Sequence, residues 1–211
     1  MFKIILASPR WYCAWVDRAI GMLDDILQKY WSPIFVNHEI VHNKFIVSEF
    51  EKKWVIFTDN LDDVQAGQIM VFSAHGVAPS FVEKVAEKWI KYIDASCPLV
   101  VKVHNEAKAF IKQWYEIIYI GKHKHQEAIW VADNNIDKIH IIANEEDLKK
   151  IYFWKKQKLA LLNQTTLSVD DTKELIEKVK LKFPQVALPS FSDICYATTN
   201  RQNAVKNILS E

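Results

Sequence analysis

Glycine is what this chain has least of: it fills 4 of 211 positions, where soluble proteins average about 7%. Tryptophan is over-represented at 8, an odd balance for a chain that must make many tight turns. Charge of one sign is missing too, since 27 Lys and Arg meet 26 Asp and Glu. No overall field gathers nucleic acid or an anionic membrane, so any anionic ligand must be held locally. The apolar run after Met1 is too short for a signal peptide, and nothing later approaches the roughly 20 apolar residues of a membrane span. A cytoplasmic setting is expected, with no nucleic-acid or membrane partner. There, 3 widely spaced cysteines exclude a disulfide framework and leave metal binding, catalysis or burial.

Half of the residues are apolar, enough for a sizeable core, and their periodicity alternates. Strand patterns fall at Lys3–Ala7, Ile34–Val36, Val55–Thr58, Ile69–Ala74, Lys91–Ala95, Glu116–Ile120, Ile139–Ala143 and Leu159–Leu162. Helical patterns fall at Ala14–Lys29, Asn43–Lys53, Pro79–Lys88, Glu145–Ile151, Val169–Lys182 and Asn200–Leu209, and one more carries Val100, Val103, Ala107 and Phe110 on one face. This is α/β patterning, which predicts parallel sheets with ligands at the carboxyl ends of the strands.

A unit recurs within it. A strand, a cysteine and a helix follow one another at Cys13, at Cys97 and, after Asp193-Ile194, at Cys195. Helix N-termini stabilise thiolates, so three units would each offer one. Three thiolates suit either zinc with another ligand or an iron–sulfur cluster with one iron left open. Taken singly, each cysteine reads more readily as a small buried hydrophobe; the repeated setting reverses that preference and favours ligation.

Six segments carry a resemblance: Arg10–Ile20 (RWYCAWVDRAI), His38–Lys44 (HEIVHNK), Phe72–Val77 (FSAHGV), Tyr92–His104 (YIDASCPLVVKVH), Gln164–Thr172 (QTTLSVDDT) and Asp193–Gln202 (DICYATTNRQ). In order, over essentially the whole chain, they resemble the 4-hydroxy-3-methylbut-2-enyl diphosphate reductases, which perform the last step of the methylerythritol phosphate route to isoprenoids. The resemblance implies that Cys13, Cys97 and Cys195 hold a 4Fe-4S cluster whose fourth iron takes the substrate hydroxyl. It implies that His42, His75 and His125 bind the diphosphate substrate, and that Glu127 donates the proton while Thr165 relays or orients it. Two electrons, from a donor such as ferredoxin or flavodoxin, would leave an allyl anion protonated at either end, giving isopentenyl or dimethylallyl diphosphate.

The implied fold is trefoil-like: three quasi-equivalent α/β units around a central iron–sulfur site. Residues 1–13 would supply a strand to the third unit, 14–96 and 97–193 would form the first and second, and 194–211 would begin a third that is cut short. An inactive fragment of that enzyme is therefore an alternative reading. Another is a zinc metallohydrolase using His38-Glu39-x-x-His42, a pattern that needs both histidines on one helix face. His104, His123 and His140 fit no motif position and are expected to be structural. Lastly, Trp11, Trp15, Trp31, Trp54, Trp89, Trp114 and Trp130 fall where the resembling family has glycine, as if the source read UGA as glycine.

Overall fold

The computed structural model describes residues 4–30, 33–189 and 192–209, and these form two compact units. The first spans Cys13–Val101; the second comprises Met1–Tyr12 and Lys102–Glu211. Trp31 and Lys3 lie outside the described residues.

In the first unit, helix α1 (Ala14–Lys29) starts at Cys13, whose Sγ accepts the N–H of Val16 at 3.3 Å. Strand β1 (Ile34–Asn37), helix α2 (Lys44–Glu51), strand β2 (Val55–Phe57), strand β3 (Ile69–Phe72), helix α3 (Pro79–Glu87) and strand β4 (Lys91–Asp94) follow. The sheet order is β2-β1-β3-β4, and every pairing is parallel. Both faces are covered, as a parallel sheet requires. Ile34, Val36 and Val71 pack with Ala19, Leu23 and Phe50 on one side. Phe35, Met70 and Phe72 pack with Leu61, Val64 and Val85 on the other.

Helix α4 (Pro98–Lys112) leads into the second unit, where strand β5 (Glu116–Ile120), helix α5 (Gln126–Ala132), strand β6 (Ile139–Ile142), helix α6 (Glu145–Lys150), strand β7 (Leu159–Asn163), helix α7 (Val169–Lys182) and helix α8 (Tyr196–Leu209) follow. Its sheet runs β6-β5-β7, again all parallel. Ile117, Tyr119 and Leu162 face Val103, Ala107, Ala128 and Val131, while Ile118, Ile120 and Leu161 face Leu175, Val179 and Phe183.

The α/β class with parallel sheets is as expected, but three local expectations fail. Ile4–Ala7 forms no strand; Ile4, Ile5 and Leu6 are exposed, and among the described residues no neighbouring strand offers them a ladder. Helix α5 was not expected, because Glu127, Ala128, Trp130, Val131 and Ala132 are all buried and so leave no amphipathic stripe to read. Asp193-Ile194 is also no strand, although α8 does start directly after Cys195.

The tryptophans carry a backbone signature. Trp54 (φ 67°), Trp89 (φ 56°) and Trp114 (φ 66°) lie just beyond the ends of α2, α3 and α4 in the left-handed region that favours glycine. Beyond α3 the Ile90 N–H returns to Val85 O at 3.2 Å, and beyond α4 the Tyr115 N–H returns to Phe110 O at 3.1 Å. Those are the closing bonds of helix caps built around a left-handed residue. The three indoles are 83%, 82% and 80% exposed, so packing does not offset the strain. Replacing Trp54, Trp89 or Trp114 by glycine should each raise unfolding stability by about 1 kcal/mol. Chemical denaturation checks this, with the equally exposed Trp154, which is not among the positive-φ residues, expected to gain nothing.

Candidate active site

Parallel strands bring their carboxyl ends to one edge, and backbone hydrogen bonds extend that edge past the strands themselves. In the first unit the Ala74 N–H donates to Ile40 O at 3.1 Å, and the Cys97 N–H donates to Ala74 O at 3.0 Å. The loops after β1, β3 and β4 are thereby held side by side, and they carry His42, His75 and Cys97. The rings of His42 and His75 stack with centroids 3.8 Å apart and planes 21° from parallel. Trp15 Nε1 donates to Ala95 O at 3.0 Å, which ties the Cys13 segment to the Cys97 segment.

His38 is a member of this group that sequence reasoning weighed only as a zinc ligand. It turns the chain out of β1 in the left-handed region (φ 56°), and its ring centroid lies 5.9 Å from that of His42 and 6.2 Å from that of His75. Its Nδ1 sits 3.3 Å from Asp59 Oδ2, and Asn37 Nδ2 donates to Asp59 Oδ1 at 3.0 Å. The zinc-hydrolase alternative fails here. Residues 38–43 are not helical, so His38 and His42 share no helix face, and among the described residues no three His, Cys, Asp or Glu side chains form a metal-holding group.

The second unit places Glu127, His125 and Thr165 together. His125 caps α5, its Nδ1 accepting the Glu127 N–H at 3.2 Å, which assigns the proton of the neutral ring to Nε2. Glu127 is 2% exposed. Its Oε1 accepts from Thr165 Oγ1 at 2.9 Å and its Oε2 from the Thr165 N–H at 2.8 Å. Burial pushes the Glu127 carboxyl above the usual carboxylate range, against the opposing effect of the two Thr165 hydrogen bonds. A carboxyl that holds its proton to higher pH in a dry setting suits a general acid. The Cys195 N–H donates to Thr165 O at 2.7 Å, so the third cysteine adjoins the same turn.

None of the cysteines is in a disulfide, and all are half-buried. Cys13 and Cys97 belong to the first unit and Cys195 to the second. The remaining histidines are structural, as expected. His123 and His140 bond Asp147 and Glu116 at 2.9 and 3.0 Å. His104 is buried against the Trp130 ring, 4.6 Å between centroids, and burial pulls it down to about 4.

Comparison with known proteins gives a consistent picture. The model of the family described as LytB protein matches residues 4–211. The chain is 44% identical over 209 residues to a 4-hydroxy-3-methylbut-2-enyl diphosphate reductase of Mycolicibacterium vanbaalenii, covering 99% of this chain and 62% of the relative. For the enzyme of the same name from Streptomyces coelicolor the figures are 46%, 99% and 62%. The structure of E-1-hydroxy-2-methyl-but-2-enyl-4-diphosphate reductase from Plasmodium falciparum superposes with a TM-score of 0.93 at 40% identity, over 96% of this chain and 64% of that one. A second reductase structure gives 0.79 at 25% identity, over 99% and 73%. The chain thus spans 62% of the length of these curated relatives. Among the described residues, no helix is long and apolar enough to cross a membrane.

Because the raised Glu127 carboxyl binds its proton more tightly folded than unfolded, its contribution is favourable below the ordinary carboxylate range and is lost as pH rises through the folded value. The stability of the native chain relative to Glu127→Gln should therefore fall as pH rises above 4.5. Thermal unfolding of both over that rise is the check; a difference independent of pH would show that the carboxyl is not raised.

Proposed function

The chain belongs to the LytB protein family, and on that premise we propose that its site reduces 4-hydroxy-3-methylbut-2-enyl diphosphate to isopentenyl and dimethylallyl diphosphate. The observation that carries this is the buried Glu127–Thr165 pair adjoining His125 in one unit, with the stacked His42 and His75 beside Cys97 in the other. The reductase names of relatives 44–46% identical to this chain support the reading.

Reductive loss of a hydroxyl consumes two electrons and two protons and releases water. Imidazole N–H groups suit the diphosphate: they are oriented donors and can carry charge, which a nearly neutral chain cannot supply as a field. In the neutral ring of His125 the proton sits on Nε2, because Nδ1 accepts from the backbone. Glu127 protonates the departing hydroxyl, so that water rather than hydroxide leaves. Thr165 holds both carboxyl oxygens, fixing the direction in which that proton is delivered.

Cys13, Cys97 and Cys195 would hold a 4Fe-4S cluster: they are three thiols, each immediately preceding a helix, where dipole and N–H groups offset anionic charge, although among the described residues they do not stand as a metal-holding group. When bound, such a cluster supplies single electrons and a Lewis-acidic iron. The electrons come from a carrier such as ferredoxin or flavodoxin, and the substrate is a small diphosphate. A cytoplasmic setting is part of the same proposal.

Anaerobic reconstitution should load iron and inorganic sulfide in near-equal amounts, and Cys97→Ser should reduce both. Glu127→Gln should keep the cluster yet slow turnover by about 10²–10⁴-fold. Zinc bound without sulfide would overturn the cluster assignment, and full turnover by Glu127→Gln would remove the proton-donor role.

A further inference from the structure

We propose that the Lys102–Asp193 ion pair is the positioning device that holds Cys195 and, through Thr165, orients Glu127. The argument begins from an asymmetry between the units. Cys97 stands at the end of a paired strand: β4 lies in register with β3, the Ala95 N–H donates to Phe72 O at 3.1 Å, and the Cys97 N–H donates to Ala74 O. Among residues 192–194, just before Cys195, there is no strand, and the backbone pairing of this segment with β7 is a single bridge at Ala187. Next to Cys195 the link to β7 is made by a side chain. Asp193, fully buried, accepts the N–H of Asn163, the last residue of β7, on Oδ2 at 3.1 Å, and accepts Lys102 Nζ on Oδ1 at 2.8 Å. Lys102 is steadied in turn by Glu106 at 3.1 Å.

Two residues beyond Asp193 the Cys195 N–H meets Thr165 O, and Thr165 grips both oxygens of Glu127. One carboxylate therefore fixes the end of β7, from which the thiol and the proton donor both take their places. A buried ion pair is a poor source of stability compared with apolar packing, but it is directional, and loss of one partner leaves a charge that must move toward water. Lys102 and Asp193 act through their neighbours and touch neither substrate nor cluster.

The inference rests on the proposed cluster only for its second readout. In the cluster-free chain, alkylation of each cysteine is followed by peptide mass. Lys102→Met should speed modification of Cys195 by about tenfold through local opening, with Cys13 unchanged; Lys102→Arg should restore the native rate, and Glu106→Gln, which removes only the outer support, should raise it by less than Lys102→Met does. Lys102→Gln serves if the methionine variant fails to fold. In the reconstituted chain the same substitution should lower iron and sulfide per chain. An unchanged Cys195 rate in a folded Lys102 variant overturns the proposal. A native chain that takes up no iron, with the Cys195 rate still responding, overturns the cluster and leaves the positioning pair standing.

A separate observation carries a second inference. We infer that positions 54, 89 and 114 are glycine in the natural polypeptide. Three helix ends demand a left-handed residue and three exposed indoles stand there without packing, in a chain holding 8 tryptophans and 4 glycines. A source that decodes UGA as glycine, written out with a table giving tryptophan, produces that pattern at once. Mass spectrometry of the protein from its source decides it: glycine in the peptides spanning these positions supports the inference, and tryptophan overturns it.

Discussion

The site depends on hydrogen bonds that continue a parallel register beyond the ends of the strands. Ile40 to Ala74 to Cys97 is one such line, and Ile120 to Gln164, followed by Thr165 to Cys195, is another. Each bond is worth only about 1 kcal/mol net. Their value is geometric: loops that would otherwise wander are pinned edge to edge, so His42, His75 and Cys97, or Glu127, Thr165 and Cys195, are presented from neighbouring turns. Strand packing behind them, with Ile34, Val36 and Val71 in one unit and Ile118, Ile120 and Leu161 in the other, keeps the register from slipping.

The two units solve the same problem with different chemistry. One places Cys97 chiefly through the backbone ladder of a fourth strand, with Trp15 and Asp94 side chains adding a bond each. The other uses a buried aspartate and a lysine from α4. Side-chain devices depend on every partner, whereas a ladder shares its load over several residues. The proposed proton donor follows a related logic: Glu127 is kept dry, which raises its affinity for a proton, and Thr165 bonds both oxygens and so fixes the carboxyl's orientation.

Much of this was legible beforehand where a residue's role follows from local pattern. The apolar runs of β1, β3, β5 and β7 and the amphipathic stripe of α1 read directly, because pattern and burial coincide. Helix α5 did not, since a short segment buried all round has no period. Ile4–Ala7 misled in the opposite sense: a run of apolar residues looks like a strand, but a strand needs a neighbour. The His38-Glu39-x-x-His42 pattern misled because spacing alone does not state whether the backbone is helical, and here it is a turn with His38 at positive φ. Lys102 and His38 gave no signal of the contacts they make. Their partners, Asp193 and Asp59, lie 91 and 21 positions away in sequence.

By itself the sequence determined the alternation of strand and helix, the three cysteines placed before helices, the family resemblance and the surplus of tryptophan over glycine. All of these are local or compositional, and local physics, namely side-chain periodicity, helix-end electrostatics and turn chemistry, is written residue by residue. Only the tertiary structure decided that His42 stacks on His75, that Glu127 is buried and doubly held by Thr165, that Asp193 joins Lys102 to the end of β7, and that three tryptophans sit at glycine dihedrals. Each of those depends on burial, on a partner far along the chain or on the dihedrals that packing imposes, and none of these is carried by any single stretch of residues.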